Sequence, residues 1–227
     1  MKYAITLLIP ALLAAAARPD LEKARNAQDR PELEKMGHAA AAGASQKPKN
    51  VAALYESALV QSYIAEVALE LRDKNQAKAA AETGIAAAQA AVALEPKKPE
   101  LRRVLGTLCG LVIPANVIAG LKYGRCAQEE IQKALELDPK TALNWVSSGV
   151  GKYYLPASFG GGPDLAIKDF EKAISLDSKL AEAHMWIGLA LRKSNRNTEA
   201  RKAFEKALEL NPQRIWIKQQ LDKTPVK

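Results

Sequence analysis

Four stretches of this chain end alike: Val92-Ala-Leu-Glu-Pro96, Leu135-Glu-Leu-Asp-Pro139, Ile174-Ser-Leu-Asp-Ser178 and Leu208-Glu-Leu-Asn-Pro212, at successive intervals of 43, 39 and 34 residues. No other feature constrains the fold as strongly. Self-similarity at such a period marks stacked helical units, none of which buries its apolar face without a neighbour. The residues between the endings favour helix. Alanine abounds and loses no side-chain entropy in a helix, β-branched residues are sparse, and aromatics make up 5% of the chain. The 227 residues, 48% apolar and 26% charged, are ordinary for a folded domain.

The last unit, residues 181–214, shows how two helices would pair. Ile187 and Gly188 stand as a large and a small residue in its first helix. Ala200, Phe204 and Ala207 stand as small, aromatic and small in its second, Asn195-Arg-Asn197 supplies a polar turn, and Pro212 ends the unit. Small residues let antiparallel helices approach, and Phe204 fills the groove between them. This pattern resembles the tetratricopeptide-repeat (TPR) family. Residues 142–178 repeat it with Trp145, Gly149, Ala166, Phe170 and Ala173, five extra residues in the turn, and Ser178 in place of the proline. Residues 99–139 keep Leu105, Gly106, Ala127, Ile131 and Ala134, with nine extra residues that include Pro114, which should end or kink its helix. The resemblance implies an all-α fold: a TPR α-solenoid of antiparallel helix pairs in a right-handed superhelix.

The organisation expected is a signal segment over 1–17, an N-terminal helical segment over 18–50, a degenerate helical pair over 51–96 and a distorted TPR with an insertion over 97–139. A TPR with a Gly-rich insertion follows over 140–178, then a TPR over 179–212 and a capping helix with tail over 213–227. Helices are expected near 19–29, 31–45, 51–72, 76–94 and 215–221.

Residues 1–17 have the three parts of a secretory signal: Lys2, an apolar run from Ala4, and the small residues Ala15, Ala16 and Ala17 before polar Arg18. The expectation is an exported chain, periplasmic or secreted, cut after Ala17 and without stable membrane insertion afterwards; the alternative is an uncleaved anchor. Export admits disulfides. Cys109 and Cys126 flank the insertion and read either as a disulfide or as two buried thiols.

Chemistry-bearing motifs are absent. There is no HExxH, CxxC or GxSxG, and Gly149-Val-Gly151 lacks the third glycine of a dinucleotide loop. His38 and His184 are the two histidines, and His184 sits where a repeat packs. No enzyme activity, cofactor or metal is expected. The formal charge of +8 is interleaved with acids, as at Glu171-Lys172 and Glu205-Lys206, which is a solvated helix surface and not a nucleic-acid site. Phe159-Gly160-Gly161-Gly162-Pro163-Asp164 is an insertion that either reorients the hairpin or offers its backbone amides to an anion. Residues 150–176 are similar to a glycine-loop hairpin of exported bacterial TPR proteins, among them the T-components associated with TRAP transporters.

In the TPR family the first helices line an inner groove. The resemblance maps that groove onto Leu143, Val146, Val150, Tyr153 and Tyr154, and onto Glu182, Met185, Leu189, Arg192 and Lys193, with Phe159 at the loop. The Lys/Asn clamp of chaperone-binding members is missing, since Leu143, Val146 and Val150 stand there. An apolar groove with a basic edge suits a protein or peptide partner carrying acids, unless the capping or N-terminal helices cover it. The function expected is a non-catalytic interaction scaffold. The alternative is a periplasmic accessory protein of a transporter that holds a small or lipid-like ligand in an enclosed cavity.

Overall fold

The computed structural model describes residues 18–226 apart from Asn116, with backbone alone at Ala115 and Val117. The expected signal segment, residues 1–17, lies outside the described residues. Among the described residues there is no strand. The helices are α1 (Pro19–Asn26), α2 (Arg30–Gln46), α3 (Val51–Glu70), α4 (Lys74–Leu94), α5 (Pro99–Val112), α6 (Val117–Leu137), α7 (Ala142–Tyr154), α8 (Pro163–Leu176), α9 (Ala181–Lys193), α10 (Asn197–Leu210) and α11 (Ile215–Asp222). Short 3-10 turns cover Ile113–Ala115 and Ala157–Phe159.

The helix boundaries follow from the turn residues. Asp29, Asn50 and Asp73 accept from the backbone N–H groups of Glu32, Ala53 and Gln76, so each caps the helix that follows it. Arg72 and Asn195 take positive φ (65° and 60°) where one helix must reverse into the next. Pro114 falls in the 3-10 turn after α5, whose helix it ends as the sequence implies. At the joint of α6 and α7, Asp138 accepts from the Lys140 and Thr141 amides and from the Thr141 hydroxyl. Buried Asn144 donates to the carbonyls of Ala134 and Asp138, which fixes the angle at which α7 leaves.

The hairpins α3/α4, α5/α6, α7/α8 and α9/α10 stack in chain order, and each first helix touches the next first helix. Two apolar clusters result. One runs from Leu21 to Ala119 and the other from Val146 to Ile217. In the second, a Cβ on Gly188 would lie 2.7 Å from the Phe204 ring and one on Gly149 would lie 2.4 Å from the Phe170 ring, so no larger residue fits either crossing. Cys109 and Cys126 form a disulfide that ties α5 to the upper part of α6.

Candidate binding face

The first helices α7 and α9 bring an aromatic cluster to the inner side of the stack. Trp186 is its hub. Its ring centroid lies 5.6 Å from Tyr153, 6.1 Å from Tyr154, 6.1 Å from Trp216 and 6.2 Å from Phe170. Tyr153 and Tyr154 meet edge to face at 4.9 Å. Burial pushes both phenols up, Tyr154 to about 12, although the residue as a whole is 60% exposed. Tyr154 therefore shows one face to solvent and anchors the other on Trp186. Lys193 is exposed beside it, with its ammonium donating to the Tyr153 carbonyl at 2.6 Å and lying over the Tyr153 ring.

Several residues assigned to the groove by sequence are not there. Val146, Met185 and Leu189 are buried in the C-terminal cluster, because the helix faces that carry them turn into the stack. Arg192 is occupied by the chain's own end: its guanidinium donates to the Gln220 carbonyl and amide oxygen and to the Thr224 hydroxyl. Phe159 is exposed on the loop and outside the aromatic cluster, while Val150 is half-buried against the core. Trp186 and Trp216, which the sequence reading passed over, complete the surface that Tyr153 and Tyr154 begin.

The two ends of the stack are joined by a polar clasp. Arg25 at the end of α1 donates to both Glu66 carboxylate oxygens on α3, at 2.8 and 2.7 Å. It lies 3.4 Å from Glu182 on α9 and stacks over the Tyr63 ring. Arg214, 3% exposed just before α11, reaches the same Glu66 at 3.0 Å, pairs with Glu70, and donates to the Arg25 carbonyl. Gln28 donates to Glu70 at 2.8 Å and exchanges hydrogen bonds with Gln219. Burial opposes ionisation of Glu66, but Arg25 and Arg214 together hold its carboxyl below the usual range. Burial and the neighbouring Glu66 push Glu70 up to about 7 in spite of Arg214. Taking these charges from water is tolerable only because every one is paired. The clasp thus presents acids to two arginines of the same chain where an open basic-edged groove was expected.

The glycine loop reorients the hairpin. Gly160 and Gly162 have φ of 80° and 108°. The amides of Gly160, Gly161 and Gly162 donate to the carbonyls of Ala157, Pro156 and Lys152, so none of the three is left to cradle an anion. Buried Asp169 accepts from Ser148 and Lys152, tying α7 to α8. His184 is half-buried and its imidazole is held low by burial, as suits a packing residue. Among the described residues no group of three His, Cys, Asp or Glu is placed to hold a metal, and no helix is long and apolar enough to cross a membrane. A cavity of about 420 Å³ lies among α1, α2 and α3, lined by Leu21, Met36 and Val60 but also by Arg18, Asp20 and Glu56. Tyr153, Tyr154 and Phe159 are not among the residues that line it.

The profile of the family described as Regulator of microtubule dynamics protein 1-3 matches residues 20–155. That of the tetratricopeptide repeat matches residues 181–214. Among curated proteins none matches. A thermophilic TPR protein of Thermus thermophilus superposes with a TM-score of 0.61 at 19% identity, over 88% of this chain and 97% of that one. MamA gives a TM-score of 0.43 at 23% identity, over 86% and 96%. YrrB, described as a TPR protein with an unusual peptide-binding site, gives 0.41 at 18% identity, over 89% and 90%. The likeness to the Thermus protein is one of fold.

Proposed function

This chain belongs to the family described as Regulator of microtubule dynamics protein 1-3, and from that membership and its TPR fold we propose that it is a non-catalytic scaffold for a protein or peptide partner. The observation that carries the reading is the half-exposed Tyr154 face, backed by Trp186, Tyr153 and Trp216 and flanked by Lys193. Rigid aromatic rings with a polar tip give contact area at little entropic cost and are enriched where partners dock. The excess of basic residues favours an acidic partner surface. No described constellation of nucleophile, base and oxyanion donor competes with this reading.

The site of action we propose is outside the cytoplasm, in the periplasm or the extracellular space. The three-part N-terminus and the Cys109–Cys126 disulfide support it. Cell fractionation with N-terminal sequencing tests it: a mature chain beginning at Arg18 is expected, and a cytoplasmic chain beginning at Met1 overturns it.

The binding face is tested by affinity capture with the full chain and two variants. Tyr154→Ala is expected to weaken capture of the partner by about tenfold, as loss of an aromatic anchor does, with helicity unchanged by circular dichroism. Lys172→Ala, exposed on α8, is expected to leave capture unchanged. Equal capture by all three proteins removes the Tyr154 face from the proposal.

A further inference from the structure

The first two hairpins are longer than the last two, and the excess sits at one end. Ile131 of α6 occupies the place that Phe170 holds in α8 and Phe204 in α10, eight residues before the end of each unit. Yet α6 begins at Val117, α8 at Pro163 and α10 at Asn197. The start of α6 therefore projects seven residues, or about 10 Å at 1.5 Å per residue, beyond the corresponding starts of α8 and α10. The Cys109–Cys126 disulfide holds α6 just beyond the added turns, and Tyr123 at their end donates to Glu82 on α4.

Among the described residues, nothing covers the outward side of this projection. Leu121 is 82% exposed and Ile118 is 75% exposed, one turn apart on the same side of α6. Ala119, between them in sequence, is buried, so the apolar pair is the outward side of the helix. Lys122 and Arg125, both exposed, follow within the next turn, about 6 and 10 Å below Ile118 along the helix axis. Arg125 shares an exposed contact with Glu129, a pairing that competes weakly with another anion. The neighbouring turn between α3 and α4 contributes exposed Leu71 and Arg72.

We propose that this projecting end of α6 docks reversibly on an anionic bilayer surface, with Ile118 and Leu121 entering the headgroup region and Lys122 and Arg125 meeting the phosphates. Two features point to a bilayer in preference to a protein. Ile118 and Leu121 stand almost bare at a projecting helix end, and a bilayer accepts isolated apolar side chains at such a tip. The cations follow the apolar pair in the order that the change from acyl chain to headgroup requires. The contact is peripheral, consistent with the absence of a spanning helix among the described residues. It does not depend on the Tyr154 face.

Vesicle sedimentation of the full chain tests this with phosphatidylcholine alone and with phosphatidylcholine containing about 30% phosphatidylglycerol, enough anionic lipid to give the surface a negative potential. Wild type is expected to sediment with the anionic vesicles, to stay free of the neutral ones, and to be released by high salt. Ile118→Asp with Leu121→Asp is expected to lower the partition coefficient by about tenfold or more, with unaltered melting. Lys122→Glu with Arg125→Glu is expected to abolish the preference for anionic lipid. Two results overturn the proposal: wild type that binds neither vesicle, and an aspartate variant that binds as wild type does. If wild type binds neither and the aspartate variant loses protein capture, the edge is a protein contact instead. Failure of the Tyr154 experiment leaves these outcomes untouched.

Discussion

The two halves of the stack solve the same packing problem with different side chains. In α7/α8 and α9/α10 a glycine on the first helix faces a phenylalanine on the second: Gly149 with Phe170, Gly188 with Phe204. In α5/α6 the glycine remains at Gly106, but Ile131 faces it, with a Cβ on Gly106 falling 2.8 Å from Ile131. In α3/α4 the equivalent place on the second helix is Ala88. The wedge thus shrinks toward the N-terminus, and the helices lengthen, from 14 residues in α8 and α10 to 21 in α4 and α6. A large aromatic lets a short crossing bury enough surface. Where the wedge is small, more turns of alanine-rich helix and a covalent tie provide the rest.

The comparison breaks most visibly on removal of a wedge. Phe204→Ala is expected to cost about 3–5 kcal/mol, since a fully buried ring leaves a cavity that the close Gly188 crossing cannot collapse. Ile131→Ala should cost less, about 2–3 kcal/mol, because a smaller wedge leaves a smaller void. Urea unfolding followed by circular dichroism measures both. Equal losses would mean that wedge size does not distinguish the halves.

The next largest effect should come from the tie. Closing the 17-residue separation between Cys109 and Cys126 contributes about 3 kcal/mol by restricting the unfolded chain. Replacing both with serine is expected to lower stability by that order, and unevenly. All three tryptophans, Trp145, Trp186 and Trp216, lie in the C-terminal half, so their fluorescence reports that half alone. The transition followed by circular dichroism should move to lower temperature further than the one followed by fluorescence, because repeat arrays lose structure from their weaker units. Coincident shifts would show that the clasp couples the two halves into one cooperative unit.

How much of this was legible in the sequence depends on how far apart the interacting residues lie. The glycine–aromatic wedges, the polar turns and the proline stop are local signals, and they placed the helices of the last two hairpins. The clasp is not local. Arg214 and Glu66 are 148 residues apart, and nothing in either neighbourhood announces the other. One trace of it was present. Helix α3 is apolar nearly all round and carries Glu66 and Glu70 one turn apart near its end. A helix apolar on every side is packed on every side, so carboxylates there require buried partners. The groove positions Val146, Met185 and Leu189 went wrong for a related reason. Family groove positions assume an open superhelix, whereas this one turns those side chains into a core and closes its ends with α1 and α11.

The smallest expected effect tests that closure through pH. Glu70 is raised to about 7 by burial and by Glu66. A carboxyl whose folded pKa lies above its unfolded value near 4.5 contributes stability that is complete below about pH 4.5 and is lost as the pH rises through 7. Glu66 has the opposite sign: it is held low by Arg25 and Arg214, and its contribution is present above about pH 4.5 and lost as acid protonates it. Of the two clasp carboxylates only Glu70 changes its contribution between about pH 5 and pH 8, so the clasp should loosen over that range by on the order of 1 kcal/mol. Hydrogen exchange in α1 reports this directly, because eight residues do not hold a helix in water without the contacts that dock them. Protection of α1 is expected to fall across that same range in wild type, after correction for the intrinsic exchange rate. In Glu70→Gln, which keeps the shape and cannot ionise, it should stay flat. A wild-type profile that is already flat would mean that Arg214 keeps Glu70 ionised throughout, and that the two halves are held together by a permanent ion pair and not by a titrating one.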